Sequence, residues 1–231
     1  MNTNISWCIP VLNRCKPTWH HPGSNRTIQL SLLDNCVNSL IKHQLPQESW
    51  EFCITDFGSK DVECVETHMR GLIKDSPGTC ELQFKQLGET RFNRGLGLNT
   101  CYSMATHDNI VFFDADMLVT SRKFIDDAIN FMHAGFAWFP ICRSYRDAKH
   151  TEYWKRERGK GNVCMSRELY ETRPGGWLEK DTWGHEDYDF YEFFKLQARR
   201  TYPDYFYHQW HPVNTAVRCH LFDATGWRLQ S

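Results

Sequence analysis

Over the first half of the chain, short apolar runs alternate with stretches whose apolar residues recur every three or four positions. Residues 6–12 read as a strand, stopped by the polar pair Asn13-Arg14. Residues 27–42 carry Ile28, Leu32, Leu33, Cys36, Leu40 and Ile41 at helical spacing, with Pro46 just beyond, and predict one amphipathic helix. Residues 50–55 are apolar and β-favouring, and Asp56-Phe57-Gly58-Ser59 ends them. Val62, Val65, Met69 and Ile73 predict a helix over 62–73; period-two alternation predicts a strand over 80–87, and a helix follows over 93–106. Residues 109–113 are an apolar strand running into Asp114-Ala115-Asp116, and a further helix covers 123–132. Beyond that point the pattern loosens. Residues 143–160, with seven basic and three acidic side chains, read as a solvated loop, and 186–196 as a helix.

Repeated strand–helix units predict an α/β sandwich around a mainly parallel sheet. Ligands of such sheets gather at the carboxyl ends of the strands. Residues 10–14, 56–59 and 114–116 all lie just past predicted strands, so they are expected to share one site. No linker or internal repeat divides the chain, and residues 1–231 are expected to form a single domain.

Composition narrows the function. A net charge of −1 sets aside bulk electrostatic attraction to nucleic acid or anionic membrane as the main activity. No run of 18 apolar residues offers a membrane span. The first thirty residues lack a basic start followed by an apolar block, so no secretory signal is expected there. The ten cysteines include no CxxC pair and several sit in apolar runs, as buried free thiols of a reducing, cytoplasmic compartment do. Aromatics are lopsided: residues 131–231 hold 22 of the 33.

Three constellations carry candidate chemistry. Asp114-x-Asp116 at a strand end suits a hard divalent cation, although the same spacing also marks solvated turns. His208-x-x-His211 offers two imidazoles that could join a carboxylate at such a cation and bias it towards Mn²⁺. Trp183-Gly184-His185-Glu186-Asp187-Tyr188-Asp189 reads either as an acidic first helical turn or as a general base beside a substrate-holding carboxylate, with a ring for a sugar to stack on.

Asp56-Phe57-Gly58-Ser59, Asp114-Ala115-Asp116 and Glu186-Asp187, in this order, resemble the family 2 glycosyltransferases of GT-A fold. The closer resemblance is to β-1,4-galactosyltransferases and chondroitin-polymerase-like transferases. Pro10-Val11-Leu12-Asn13-Arg14 is similar to their Pro-Phe-Arg-Asn-Arg. Phe92-Asn93-Arg94-Gly95-Leu96-Gly97-Leu98-Asn99 is similar to Phe-Asn-Arg-Ala-Lys-Leu-Leu-Asn. Trp183-Gly184-His185-Glu186-Asp187-Tyr188 is similar to Trp-Gly-Gly-Glu-Asp-Asp, and His208-x-x-His211 to Met-x-x-His. The resemblance covers about residues 6–212.

The resemblance implies a Rossmann-like GT-A domain, with about residues 1–130 binding a nucleotide sugar and about 131–231 binding the acceptor. It implies an inverting, metal-dependent transfer of a hexose-type sugar from a UDP-sugar to a glycan or other hydroxyl. Pro10, Arg14, Asp56, Arg94, Asp114, Ala115 and Asp116 would bind the donor, with Asp56 accepting from uracil. Asp116, His211 and His208 would hold Mn²⁺ or Mg²⁺. Asp187 would be the general base, and Glu186, Trp183, Gly184 and His185 would hold the acceptor. Trp177, Tyr188 and Trp210 are further candidate platforms for a sugar. His185 and Gly95-Leu96-Gly97 depart from the family pattern. A metal-dependent nucleotidyl- or phosphotransferase and a non-catalytic glycan-binding module stay open beside this reading.

Overall fold

The computed structural model describes residues 3–20, 26–88, 91–179 and 185–212 and the backbone of 228–229. In chain order the elements are β1 (Ile5–Val11), β2 (Thr18–His20), β3 (Thr27–Gln29), α1 (Leu32–Ile41), β4 (Ser49–Asp56), α2 (Val65–Ile73), β5 (Thr79–Gln86), α3 (Arg94–Met104), β6 (Asn109–Phe112) and β7 (Met117–Val119). There follow α4 (Lys123–His133), β8 (Ala137–Trp138), β9 (Arg143–Tyr145), β10 (Tyr153–Lys155), β11 (Val163–Ser166), α5 (Arg167–Glu171), α6 (Glu186–Phe193), β12 (Ala198–Arg199), β13 (Phe206–His208) and β14 (Arg228–Leu229).

β1 is buried along its whole length, which is why it reads as a near-continuous apolar run rather than an alternating one. It lies inside a seven-stranded sheet of order β12-β8-β11-β6-β1-β4-β5. β1 is parallel to both β4 and β6, and β4 to β5; β11 runs against its two neighbours. Alternate residues of β1 serve opposite faces. Ile5, Trp7 and Ile9 pack with α1, α2 and α4, whereas Cys8 packs with Leu98 and Cys101 of α3 and with Phe190 of α6. The α/β/α sandwich expected from the sequence is therefore present, and strands from both halves of the chain share its sheet. A second sheet, β10-β9-β13-β7, sits beyond the carboxyl end of β6, and a third joins β14, β2 and β3. No helix among the described residues is long and apolar enough to cross a membrane.

The expected helix over 27–42 is shorter than its apolar spacing implied. Residues 27–29 form β3 instead, paired antiparallel with β2, and α1 starts at Leu32. Cross-strand pairing outweighs propensity where a partner strand is at hand. The basic stretch over 143–160 is likewise not a plain loop. It supplies β9 and β10 and then enters the wall of the cavity described below.

Two glycines let α3 approach its neighbours closely, Gly95 the segment around Leu178 and Gly97 the end of β1. A Cβ on Gly95 would lie 2.1 Å from the Leu178 carbonyl oxygen, and one on Gly97 would lie 2.6 Å from Pro10 Cβ. Gly95→Ala should therefore cost about 1–3 kcal/mol, because backbone cannot yield as a flexible side chain does. Gly71→Ala in α2, with nothing within 4 Å of the new methyl, should instead gain about 0.5–1 kcal/mol. Thermal unfolding separates the two; equal shifts would remove the close-approach explanation.

Candidate functional site

The chain proceeds from β1 to β4 and β5 on one side, then returns to place β6 on the other side of β1. Such a reversal opens a crevice at the carboxyl ends of β1 and β6. A cavity of about 800 Å³ lies there, a size suited to a small organic ligand.

On the β1 side the loops are tied to each other. Asn13 takes a left-handed backbone (φ 51°), its N–H donates to Ser59 Oγ (2.9 Å), and its Oδ1 accepts from the Lys60 N–H (2.7 Å). Asp56 Oδ1 accepts from both the N–H and the hydroxyl of Ser59, at 3.0 and 2.6 Å. Asp56 is buried and adjoins the cavity without lining it, whereas Pro10 and Arg14 line it.

At the end of β6, Asp114 is held on both oxygens. Arg94 Nε donates to Oδ1 (2.8 Å) and Asn162 Nδ2 to Oδ2 (3.1 Å), while Asn162 Oδ1 accepts from the Asp114 N–H (2.8 Å). Arg94 Nη2 also donates to the Gly161 carbonyl (2.5 Å), and Nη1 stands 4.0 Å from Glu186. Burial works against the Arg94 charge, but Asp114 and Glu186 outweigh it and hold the guanidinium above its usual value. Nη1 makes no hydrogen bond among the described residues, so one buried donor remains uncommitted.

Two residues further on, Asp116 meets the histidines. Its Oδ2 lies 3.1 Å from His211 Nε2, 3.7 Å from His208 Nε2 and 4.0 Å from Arg14 Nε. The ligand atoms of Asp116, His208 and His211 all fall within 4.8 Å of one another. Cross-strand register makes this possible: β13 places His208 opposite Met117 of β7, and Gln209 N–H donates to the Asp116 carbonyl (2.8 Å). Gln209, buried between the two imidazoles, accepts from Asn35 Nδ2 (2.9 Å) and donates to the Leu32 carbonyl (2.8 Å). It bolts the histidine segment to α1.

The donor chemistry fits a divalent cation. Burial drives the His208 imidazole down to about 3, against the pull of Asp116, so the ring is neutral at neutral pH. Burial opposes ionisation of Asp116, and the adjacent imidazoles and Arg14 outweigh it, holding the carboxyl well below the usual carboxylate range. His211 Nδ1 lies 2.9 Å from the Pro212 carbonyl, which only accepts, so Nδ1 carries a proton and Nε2 is left to face Asp116. His208 Nδ1 pairs with Ser144 Oγ at 3.0 Å. Outer partners of this kind orient metal-binding imidazoles.

α6 opens with Glu186 and Asp187. Glu186 is buried beside Arg94; Asp187 lines the cavity and its Oδ1 accepts from the Tyr188 N–H (2.9 Å). His185, preceding them, adopts a left-handed backbone (φ 75°). That conformation is costly for a side-chain-bearing residue and free for the glycine that the similar motif carries there.

Of the residues anticipated from sequence, Pro10, Arg14, Arg94, Asp114, Ala115, Asp116, His185, Glu186, Asp187, His208 and His211 line this one cavity. Trp183 and Gly184 lie outside the described residues. Trp177 does not offer a free face: it is buried and stacked on Phe190 at 3.8 Å. Trp210 does not line the cavity, whereas Tyr188 is exposed and does. Asn162, Ser144 and Gln209 were not anticipated, and as single polar residues they carry no periodic or spacing signal. Arg156 and Arg158 had one, the basic run itself.

The Glycosyl transferase family 2 profile matches residues 6–206. No curated protein matches the sequence. Among solved structures, TarS residues 1–349 from S. aureus in complex with UDP-GlcNAc is similar, with a TM-score of 0.65 at 14% identity over 96% of this chain and 62% of that one. Mannosyltransferase PcManGT from Pyrobaculum calidifontis, in complex with GDP-Man and Mn²⁺, gives 0.60 at 15% identity over 93% and 59%. Longer TarS gives 0.64 at 15% identity over 91% and 37%. At these identities the likeness is one of fold, and the chain spans less than two thirds of each of these structures.

Proposed function

The chain belongs to glycosyl transferase family 2, and from that premise we propose that it is an inverting, metal-dependent enzyme moving a hexose-type sugar from a UDP-sugar to a glycan hydroxyl. The observation that carries this reading is one cavity lined both by a carboxylate–imidazole cluster and by Glu186-Asp187. Family membership favours sugar transfer over the nucleotidyl-transfer and binding-only alternatives. The neighbours in complex with UDP-GlcNAc and with GDP-Man and Mn²⁺ support a nucleotide-sugar donor and a cation.

In this reading residues up to about 130 bind the donor and the remainder binds the acceptor. Asp56 accepts from uracil, Pro10 and Arg14 flank the nucleotide, and Asp114, with Arg94 and Ala115, holds ribose or donor sugar. Asp116, His211 and His208 would hold Mn²⁺ or Mg²⁺, which when bound neutralises charge gathering on the departing diphosphate. Glu186 holds an acceptor hydroxyl, with His185, Gly184 and Trp183 beside it. Asp187 takes that hydroxyl's proton as the oxygen attacks the anomeric carbon from the face opposite UDP, inverting it. Nine free cysteines among the described residues support the proposed cytoplasmic compartment.

The test is UDP or GDP release from a panel of nucleotide sugars, with EDTA or added Mn²⁺. UDP release restored by Mn²⁺ is expected. Turnover in EDTA would remove the metal assignment, and preference for a GDP-sugar would remove the uracil assignment. Asn162→Ala should raise the donor KM by about tenfold or more, since it removes a hydrogen bond to a charged group and strands the Asp114 N–H. An unchanged donor KM would mean that Asn162 plays no part in donor binding.

A further inference from the structure

Two guanidinium groups of the cavity wall have no acidic partner among the described residues. Arg94 is committed to Asp114 and the Gly161 carbonyl, and Arg14 stands near Asp116. Arg156 and Arg158 also line the cavity, and neither forms an ion pair with a described residue.

They belong to a segment fixed by its own backbone. The Arg156 N–H donates to the Cys142 carbonyl (3.0 Å), carrying the β9–β10 ladder one step further, and the Gly159 N–H closes a turn on the Arg156 carbonyl (3.1 Å). Arg200 Nη2 donates to the carbonyls of Glu157 and Gly159 at 2.5 and 3.1 Å. Lys160 Nζ rests over the rings of Tyr188 and Tyr191 at 3.8 and 3.9 Å. The segment is thus clamped against α6, the helix that begins with Glu186-Asp187. The backbone that carries the arginines is held before any ligand arrives, so only their side chains have to be ordered on binding.

Trp154 extends this wall outward. β10 sets it opposite Ser144 of β9, and Ser144 is in turn opposite His208 of β13. Residues in one cross-strand row share a face of a sheet, so Trp154 stands on the face that carries His208, about 10 Å away over two strand spacings. Trp154 is 44% exposed, and its ring touches no other ring of the described residues. Arg156, two residues on, shares that face.

We propose, resting on the transferase reading above, that the acceptor is an anionic saccharide whose carboxylate or phosphate is held by Arg156 and Arg158 and whose ring stacks on Trp154. Guanidinium matches both anions by the same two-pronged geometry, and an indole face suits the apolar side of a sugar. The donor diphosphate is the competing occupant, because Arg156 and Arg158 line the same cavity as Asp116, His208 and His211. The experiment therefore measures both ligands.

Saturation-transfer NMR on the full chain with UDP and Mn²⁺ would compare a uronic-acid disaccharide, a sugar phosphate and neutral lactose, while calorimetry follows UDP. One or both anionic probes should bind about tenfold or more tightly than lactose, a margin lost at high salt. Their relative affinity tells carboxylate from phosphate. R156Q/R158Q should abolish the margin and leave UDP affinity within about twofold, R156K/R158K should retain most of it, and W154A should weaken every saccharide. Lactose bound as tightly as both anions would overturn the proposal. So would loss of UDP binding in R156Q/R158Q with the saccharide preference intact, and so would loss of the preference in the lysine variant with an unchanged melting temperature. A wild-type chain that bound no UDP at all would instead overturn the UDP-sugar reading beneath it.

Discussion

Asp187→Asn is expected to lower kcat by about 10²–10⁴-fold, the usual worth of a positioned general base, while UDP affinity stays within about twofold. The amide is isosteric and its oxygen can still accept from the Tyr188 N–H, as the carboxylate does at 2.9 Å, so the start of α6 keeps its geometry. What is lost is the ability to take a proton. Glu186→Gln should behave differently. Glu186 is buried and stands 4.0 Å from Arg94, so neutralising it strips a buried cation of part of its counter-charge, and stability falls along with acceptor binding. Measuring kcat, acceptor KM and melting temperature for both variants separates the roles. An Asp187→Asn enzyme turning over at a near-normal rate would return the general-base assignment to Glu186 or to neither.

The second large effect belongs to Asp116. Asp116→Asn should weaken Mn²⁺ binding by about 10²-fold or more, because it removes the one anionic ligand on which both imidazoles converge. At fixed Mn²⁺ turnover should fall in parallel. Ser144→Ala, which only frees His208 Nδ1 from its 3.0 Å partner, should cost about 10–100-fold, the range for an outer partner of a metal-bound imidazole. Electron paramagnetic resonance of bound Mn²⁺ in the presence of UDP reads both without relying on activity. Affinity unchanged in Asp116→Asn would show that the cation, where present, is held elsewhere.

The parts of the site that sequence made legible are those attached to long elements. β1, β4 and β6 are apolar runs with polar stops, so Pro10, Arg14, Asp114 and Asp116 could be placed at strand ends before any geometry was known. α6 begins at Glu186, where the acidic pair had been set. The illegible parts sit on strands of two to four residues, too short to show a period: β7, β9, β10 and β13. Nothing along the chain says that Ser144 meets His208, or that Trp154 stands in the same row. The basic run is half legible. Charge density describes its solvated face, and β10 is exposed throughout. It does not reveal the Arg200 guanidinium bonds to the Glu157 and Gly159 carbonyls or the Arg156 N–H bond to the Cys142 carbonyl, which set Arg156 and Arg158 in the cavity wall. Trp177 illustrates the converse, an aromatic that looked like a platform and is consumed by packing on Phe190.

The Gln209 bolt also has a consequence in time. Gln209 bonds Asn35 across 174 positions and Leu32 across 177, so α1 and the segment from His208 to His211 wait for each other. On a ribosome adding about 5–20 residues per second, the stretch from Asp116 to His211 needs roughly 5–20 s to appear. Through that interval a nascent chain already carries its central parallel strands and its lone aspartate, but not the imidazoles that would let it grip a cation. On the metal assignment proposed above, cation binding waits until residues 208–211 have emerged.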